Sequence, residues 1–219
     1  RLDGRLRLLL IRPFRMFSLP QTHLSSIRDR ILDAVGQLSM TLGAGNFTLE
    51  QVAQAAGVSK GGLLYHFPSK EALLHAMGER FLQTFESARR DARARLPDEP
   101  AADLKASVLG TLCRPTTDHC QGAALLTAAA NDPALVAMFR QCLADYTNEL
   151  ADWPGAFERK AIVSLAVDGL MLREALRISP FTPEQRDAVI HALLQLADES
   201  CSPTPAQDAA MPDPQQVLP

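Results

Sequence analysis

The sequence predicts an all-α protein, and three observations carry that prediction. Only 5% of the 219 residues are aromatic while 47% are apolar, a supply rich in Ala and Leu that suits helices better than strands, which want aromatic and β-branched side chains. Apolar residues step by three or four along one stretch after another. Those stretches open on capping residues or a proline in the first turn and close on glycine or proline. About nine helices are expected on these signals, with enough chain for one sizeable core or two small ones.

Residues 1–24 come first, with five Arg and one Asp in residues 1–15. They begin with Arg rather than Met, Met16 being a candidate start, and read as a basic, disordered extension. Ser25 or Ser26 opens the first helix, whose stripe is Ile27, Ile31, Ala34 and Val35, Leu38 and Leu42, and Gly43-Ala44-Gly45-Asn46 ends it. Thr48 with Gln51 makes a capping-box spacing, and Leu49, Val52, Ala53 and Ala56 then share one face. Gly57 is placed to take the left-handed conformation that stops this short helix, and Ser59 caps another two residues later. Small Ala53 lets the two helices close into a helix-turn-helix corner. In the second of the pair Leu63, Leu64 and Phe67 fall on one side, read as the anchoring face. Gly61, Gly62, Tyr65 and His66 fall on the other. Two glycines permit close backbone approach to a surface, and a phenol and an imidazole can hydrogen-bond phosphates or base edges. Pro68 ends this helix and Ser69 caps the next.

Gly57-Val58-Ser59-Lys60-Gly61, Tyr65-His66-Phe67 and Ser69-Lys70-Glu71 together resemble the DNA-binding signature of the TetR family of bacterial transcriptional regulators, a resemblance that is specific from Phe47 to Leu74. It implies an N-terminal three-helix DNA-binding domain over residues 25–70 and a helical ligand-binding and dimerisation domain over 71–199. It further implies that Thr48, Lys60, Gly61, Tyr65, His66 and Lys70 lie at or near double-stranded operator DNA, mostly on phosphates; Gly62 joins them from the exposed face. Leu64 stands where the family often has an aromatic that touches phosphate. A cytoplasmic homodimer with a small-molecule effector and no cofactor follows from the same resemblance, most often as a repressor. The charge distribution is compatible with it: residues 1–70 hold nine Lys or Arg against four Asp or Glu, and the rest hold 13 against 21. Most of the excess sits in residues 1–15, so the DNA-binding segment itself is near neutral and relies on placed contacts and helix N-termini. The extension is either a plain tail or a basic arm along the DNA backbone.

From Ser69 a long helix carries Leu73, Met77, Phe81, Phe85 and Ala88 on one stripe. It finishes in Arg89, Arg90, Arg93 and Arg95, which read as a solvated helix end favoured by the helix dipole. Leu96 to Pro100 is a break. Ala101 to Cys113, Asp118 to Ala130, and a helix opened by Asp132-Pro133 and running to about Trp153 follow. Pro154 opens another, in which Ala161 to Leu172 is apolar all round except for Ser164 and Asp168. That pattern calls for burial on two sides, one against the chain's own core and one against a partner. Thr182-Pro183-Glu184-Gln185 opens the last helix, with Val189, Ile190, Leu193, Leu194 and Ala197 on a stripe. The resemblance implies that these last two helices form a dimeric four-helix bundle. From Ser200, five prolines in 20 residues read as a disordered tail.

Cys113, Asp118, His119, Cys120 and Gln121 form the densest reactive cluster. Its spacing matches no standard metal site, so no metal is expected, but a thiol-based redox sensor at Cys113 or Cys120 is an alternative to the ligand-responsive reading. A helical ligand carrier or enzyme with a vestigial DNA-binding domain is another. No phosphate loop or Gly-x-Ser-x-Gly elbow is present, which argues against an enzyme. The apolar run Leu8 to Ile11 is too short for a signal-peptide core, and no stretch approaches the roughly 20 apolar residues of a membrane span. Candidate effector contacts are Phe85, Leu112, His119, Leu126, Met138, Phe139, Cys142, Tyr146 and Met171, which would suit a hydrophobic or amphipathic small molecule.

Overall fold

A computed structural model describes residues 26–43, 46–130 and 132–202, the side chains of residues 116–120 excepted. Among the described residues there are nine α-helices and no strand. The first four are α1 (Ile27–Leu42), α2 (Leu49–Ala56), α3 (Lys60–His66) and α4 (Lys70–Arg93). Local chemistry sets each boundary. Ser26, Ser59 and Ser69 accept hydrogen bonds from the backbone N–H groups of Asp29, Gly62 and Ala72. Thr48 and Gln51 form the reciprocal capping box, which satisfies two donors that the first turn of α2 leaves unmet. Gly57 adopts φ 64°, and Arg30 Nη2 donates to the carbonyls of Ala56 at 2.6 Å and Gly57 at 3.0 Å. α1 thereby ties off the C-terminal end of α2 and fixes the corner before α3. The interior of this half is apolar and closely buried: Ile31, Leu32 and Val35 of α1 pack with Phe47, Val52, Leu63 and Leu73, all 0 or 1% exposed.

The second half contains α5 (Ala102–Leu112), α6 (Thr116–Ala129), α7 (Pro133–Asp152), α8 (Phe157–Ala175) and α9 (Pro183–Cys201). α5 runs through its middle, with ten of its 11 residues buried. Around it stand Val163, Val167 and Leu170 of α8 and Ile190, Leu193 and Leu194 of α9. Gly110 is what lets α5 lie on α4, because a Cβ there would come within 2.7 Å of the Arg89 Cα, where backbone cannot give way. Two buried lysines have defined duties. Lys105 Nζ pairs with Glu99 at 2.7 Å and Asp198 at 2.5 Å, and Lys160 Nζ donates to the Trp153 carbonyl at 2.5 Å. Lys160 thus satisfies the end of α7, where a cation also meets the negative pole of the helix. The halves are joined by α4 and by α6, whose Leu125 and Ala129 enter the same core as α1 to α4.

Four expectations are corrected. α6 begins at Thr116 rather than Asp118. α8 begins at Phe157 rather than Pro154, because Gly155 takes φ 93° and lies against the backbone of Ser200 and Cys201. α9 runs on to Cys201 with Ser200 and Cys201 buried, so the tail cannot begin at Ser200; burial against that loop outweighs the prolines downstream. Leu64 is exposed while Leu63 and Phe67 are buried, so a helix this short anchors through two residues, not three. Residues 1–24 and 203–219, read as extension and tail, lie outside the described residues.

Candidate functional site

α3 presents its outer face to solvent. Gly61 has nothing near the position a Cβ would take, and at Gly62 the nearest atom is the capping Ser59 Oγ at 3.2 Å. Neither glycine is required by packing within the chain. Tyr65 is 86% exposed, its ring held edge-on to His66 with centroids 5.2 Å apart. Lys60 hydrogen-bonds Glu50 of α2, and this bond holds the Glu50 carboxyl below the usual carboxylate range. The Lys70 ammonium lies 5.0 Å from the centre of the Phe47 ring at the start of α4. Thr48 is exposed and caps α2. The sequence-derived set Thr48, Lys60, Gly61, Gly62, Tyr65, His66 and Lys70 is therefore gathered at the N-terminal ends of α2, α3 and α4 and along α3. Backbone donors at a helix start favour anions.

The second feature is a cavity of about 620 Å³ bounded by α4, α5, α7 and α8. Phe85, Met138, Cys142 and Tyr146 line it, as expected. The other candidates are elsewhere. Leu112 is wholly inside the effector core and Met171 packs against that core. Phe139 packs against the DNA-binding core, Leu126 is 48% exposed, and the His119 side chain lies outside the described residues. Sequence periodicity could not separate core from cavity wall, since both are apolar at helical spacing.

The cavity also has polar members that the effector reading missed, among them Arg89, Ser107, Thr111, Ser164 and Asp168. Arg89 belongs to its wall rather than to a solvated helix end. It bonds Glu149 at 2.5 Å and Glu86 at 3.0 Å, and its guanidinium lies 6.0 Å from the ring centres of both Tyr146 and Trp153. Ser164 and Asp168 were visible as the two breaks in the apolar run of α8. Burial pushes the Cys113 thiol up to about 11 and those of Cys142 and Cys201 above their usual value. Thiols so shifted are poor nucleophiles at neutral pH. Among the described residues no His, Cys, Asp or Glu cluster is arranged to hold a metal. No helix there is long and apolar enough to cross a membrane.

Comparisons with known proteins cover both halves of the chain. Residues 31–77 match the bacterial regulatory proteins of the tetR family, and residues 102–198 match the tetracyclin repressor-like C-terminal domain. The HTH-type transcriptional regulator BetI of Paraburkholderia phymatum is 29% identical over 199 residues, which is 84% of this chain and 95% of that protein. The nucleoid occlusion factor SlmA of Haemophilus ducreyi is 33% identical over 73 residues, covering 33% of this chain and 36% of that protein. Among solved structures, a transcriptional regulator from Rhodococcus sp. Rha1 superposes with TM-score 0.67 at 21% identity, over 81% of this chain and 99% of that one.

Proposed function

Because this chain belongs to the TetR family of ligand-responsive, DNA-binding transcriptional regulators, we propose that it is a cytoplasmic homodimeric repressor, released from a palindromic operator when a hydrophobic or amphipathic molecule fills the cavity. α3 lies in the major groove, with Gly61 and Gly62 letting its backbone approach and Tyr65 and His66 meeting phosphates or base edges. Lys60, Lys70 and Thr48 hold the flanking phosphates. One observation carries the effector reading: α4 is a single 24-residue helix that starts beside α3 and whose Phe85, Glu86 and Arg89 line the cavity. A molecule that wedges against this rod tilts the reading head. A ligand with a hundredfold preference for the DNA-free state supplies about 2.7 kcal/mol per site, enough for release when two sites act.

The dimer reading is supported by the outer face of α8, where Ile162 is 63%, Leu165 69% and Leu176 50% exposed, and by Leu196 of α9 at 44%. Ala166 and Gly169 on that face are small enough for close helix contact. The test is in vitro selection of duplex DNA followed by sedimentation of the free chain. An enriched palindrome and a dimer at micromolar concentration are expected, and Leu165→Glu with Leu196→Glu should give a folded monomer. Leu196 is the right partner for this pair because Leu193 belongs to the protomer's own core. Failure to enrich any duplex sequence would sink the DNA reading; a dimer that survives both charges would move the interface elsewhere. Of the two thiols in the redox alternative, Cys113 is pushed up by burial and gives it no support, while the Cys120 side chain lies outside the described residues; release of the DNA by peroxide, rescued by Cys120→Ser, would favour that alternative.

A further inference from the structure

The polar groups of the cavity do not balance one another. Arg89 is matched by Glu86 and Glu149, Arg90 stands 3.7 Å from Glu86, and Asp145 accepts from Gln141 at 2.8 Å. Asp168, on α8, has no cation and no hydrogen-bond donor beside it among the described residues. On α5, which also bounds the cavity, Ser107 is only 7% exposed and its Oγ, although the residue lines the space, has no hydrogen-bond partner. A helical serine can bond the carbonyl one turn back, and a buried hydroxyl left without a partner costs about 1–3 kcal/mol. Ser107 makes no such bond. Much of the remaining wall is apolar, with Leu104, Val108, Val163 and Val167 and with Leu82 and Phe85 from α4, beside the hydroxyls of Thr111 and Ser164.

We propose that this cavity selects a protonated primary or secondary amine on an apolar body, its N–H groups donating to the Asp168 carboxylate and to Ser107 Oγ. The inference rests on the effector-cavity reading above and assigns the head group. An ionised carboxylate only accepts, and the Ser107 hydroxyl needs a partner, so an ammonium carrying two or more N–H groups can meet both needs. A fatty acid fits badly. Its carboxylate would face Asp168 and find both arginines already engaged. A quaternary ammonium brings charge but no N–H, and leaves Ser107 unmet. Asp168 as a residue is exposed, yet the partial burial of its carboxyl still holds it above the usual range, a penalty that a bound cation offsets. The volume suits a ligand of drug-like size.

The experiment is calorimetric titration of the full chain with octylamine, octan-1-ol, octanoate and octyltrimethylammonium. Octylamine should bind at least about tenfold more tightly than octanol, with octyltrimethylammonium between them and octanoate weakest. Asp168→Asn should abolish the preference for the amine while changing octanol affinity by less than about twofold, which also shows that the variant is folded. Ser107→Ala should weaken octylamine by about threefold to tenfold and leave octyltrimethylammonium unchanged. Octanol binding without any preference for the amine, or a preference that survives Asp168→Asn, overturns the head-group assignment and leaves the cavity reading standing. Binding by none of the four overturns both.

Discussion

The two halves of this chain pack to opposite standards. In the DNA-binding half, small helices are locked by caps, by the Arg30 clamp on α2 and by side chains that are 0 or 1% exposed. The effector half buries a helix, α5, almost completely, yet leaves about 620 Å³ open beside it. The difference follows from task. A reading head must hold one geometry against a duplex, so its core has no slack. Under the proposed effector reading, a sensor must accept foreign atoms and move, and the space beside α5 is the part of the core that a ligand would complete. The cavity walls are correspondingly supported on one side only, and the ion-paired Arg89 rather than apolar contact closes one edge.

The sharpest way to break this contrast is by truncation. Leu63→Ala, in the tight half, should cost about 2–5 kcal/mol and abolish DNA binding through loss of the helix-turn-helix. Leu82→Ala, on the cavity wall, should cost less than about half of that, since much of its surface already faces empty space. Equal losses in urea unfolding would erase the distinction. Phe85→Ala should weaken ligand release while leaving operator affinity in the absence of ligand within about twofold. A matching loss of operator affinity would make Phe85 part of the reading head's support instead.

On the reading surface the effects are smaller and fall on binding rather than folding. Tyr65→Ala should lower operator affinity by about tenfold, the scale of one hydrogen bond to a charged phosphate, with the melting temperature unchanged. Gly61→Ala should do two opposite things: raise stability by about 0.5–1 kcal/mol, because glycine in a helix interior is costly, and weaken binding, because the methyl would stand between backbone and DNA. A variant that is stabilised and binds as before would show that α3 does not approach closely there. Last, Glu50→Gln should strengthen operator binding by about twofold to threefold by freeing Lys60 from its ion pair, and Lys60→Ala should lower the salt slope by about one unit. An unchanged slope would leave Lys60 with the structural duty of joining α2 to α3.

Much of the fold was legible because local signals and tertiary demands agree. Thr48, Gly57, Ser59, Ser69, Thr182 and Pro183 act over three or four residues, and such effects are written in the order of the chain. The exposed face of α3, with Gly61 and Tyr65, was legible for the same reason, since angular spacing places it; Leu64 was the exception, because a helix this short buries only Leu63 and Phe67. Where the expectations for α8, α9 and Arg89 failed, a distant segment had intervened. Gly155 and Ser200 are far apart in sequence, and only their contact delays α8 and prolongs α9. Arg89 looked solvated until Glu149, 60 residues later, came to lie against it.

The effector site marks the boundary most clearly. The sequence by itself determined the helices, the helix-turn-helix and the apolar character of the second half, because caps, periodicity and composition depend on neighbours in the chain. It also flagged Ser164 and Asp168 as polar interruptions in an apolar run. Only the tertiary structure decided that Leu112 fills the core while Ser107, one turn and a fraction away on the same helix, faces a cavity. The physical reason is that a cavity is a shortage of neighbouring atoms. A shortage is defined by how four helices fail to close around a space, and no single helix carries that information.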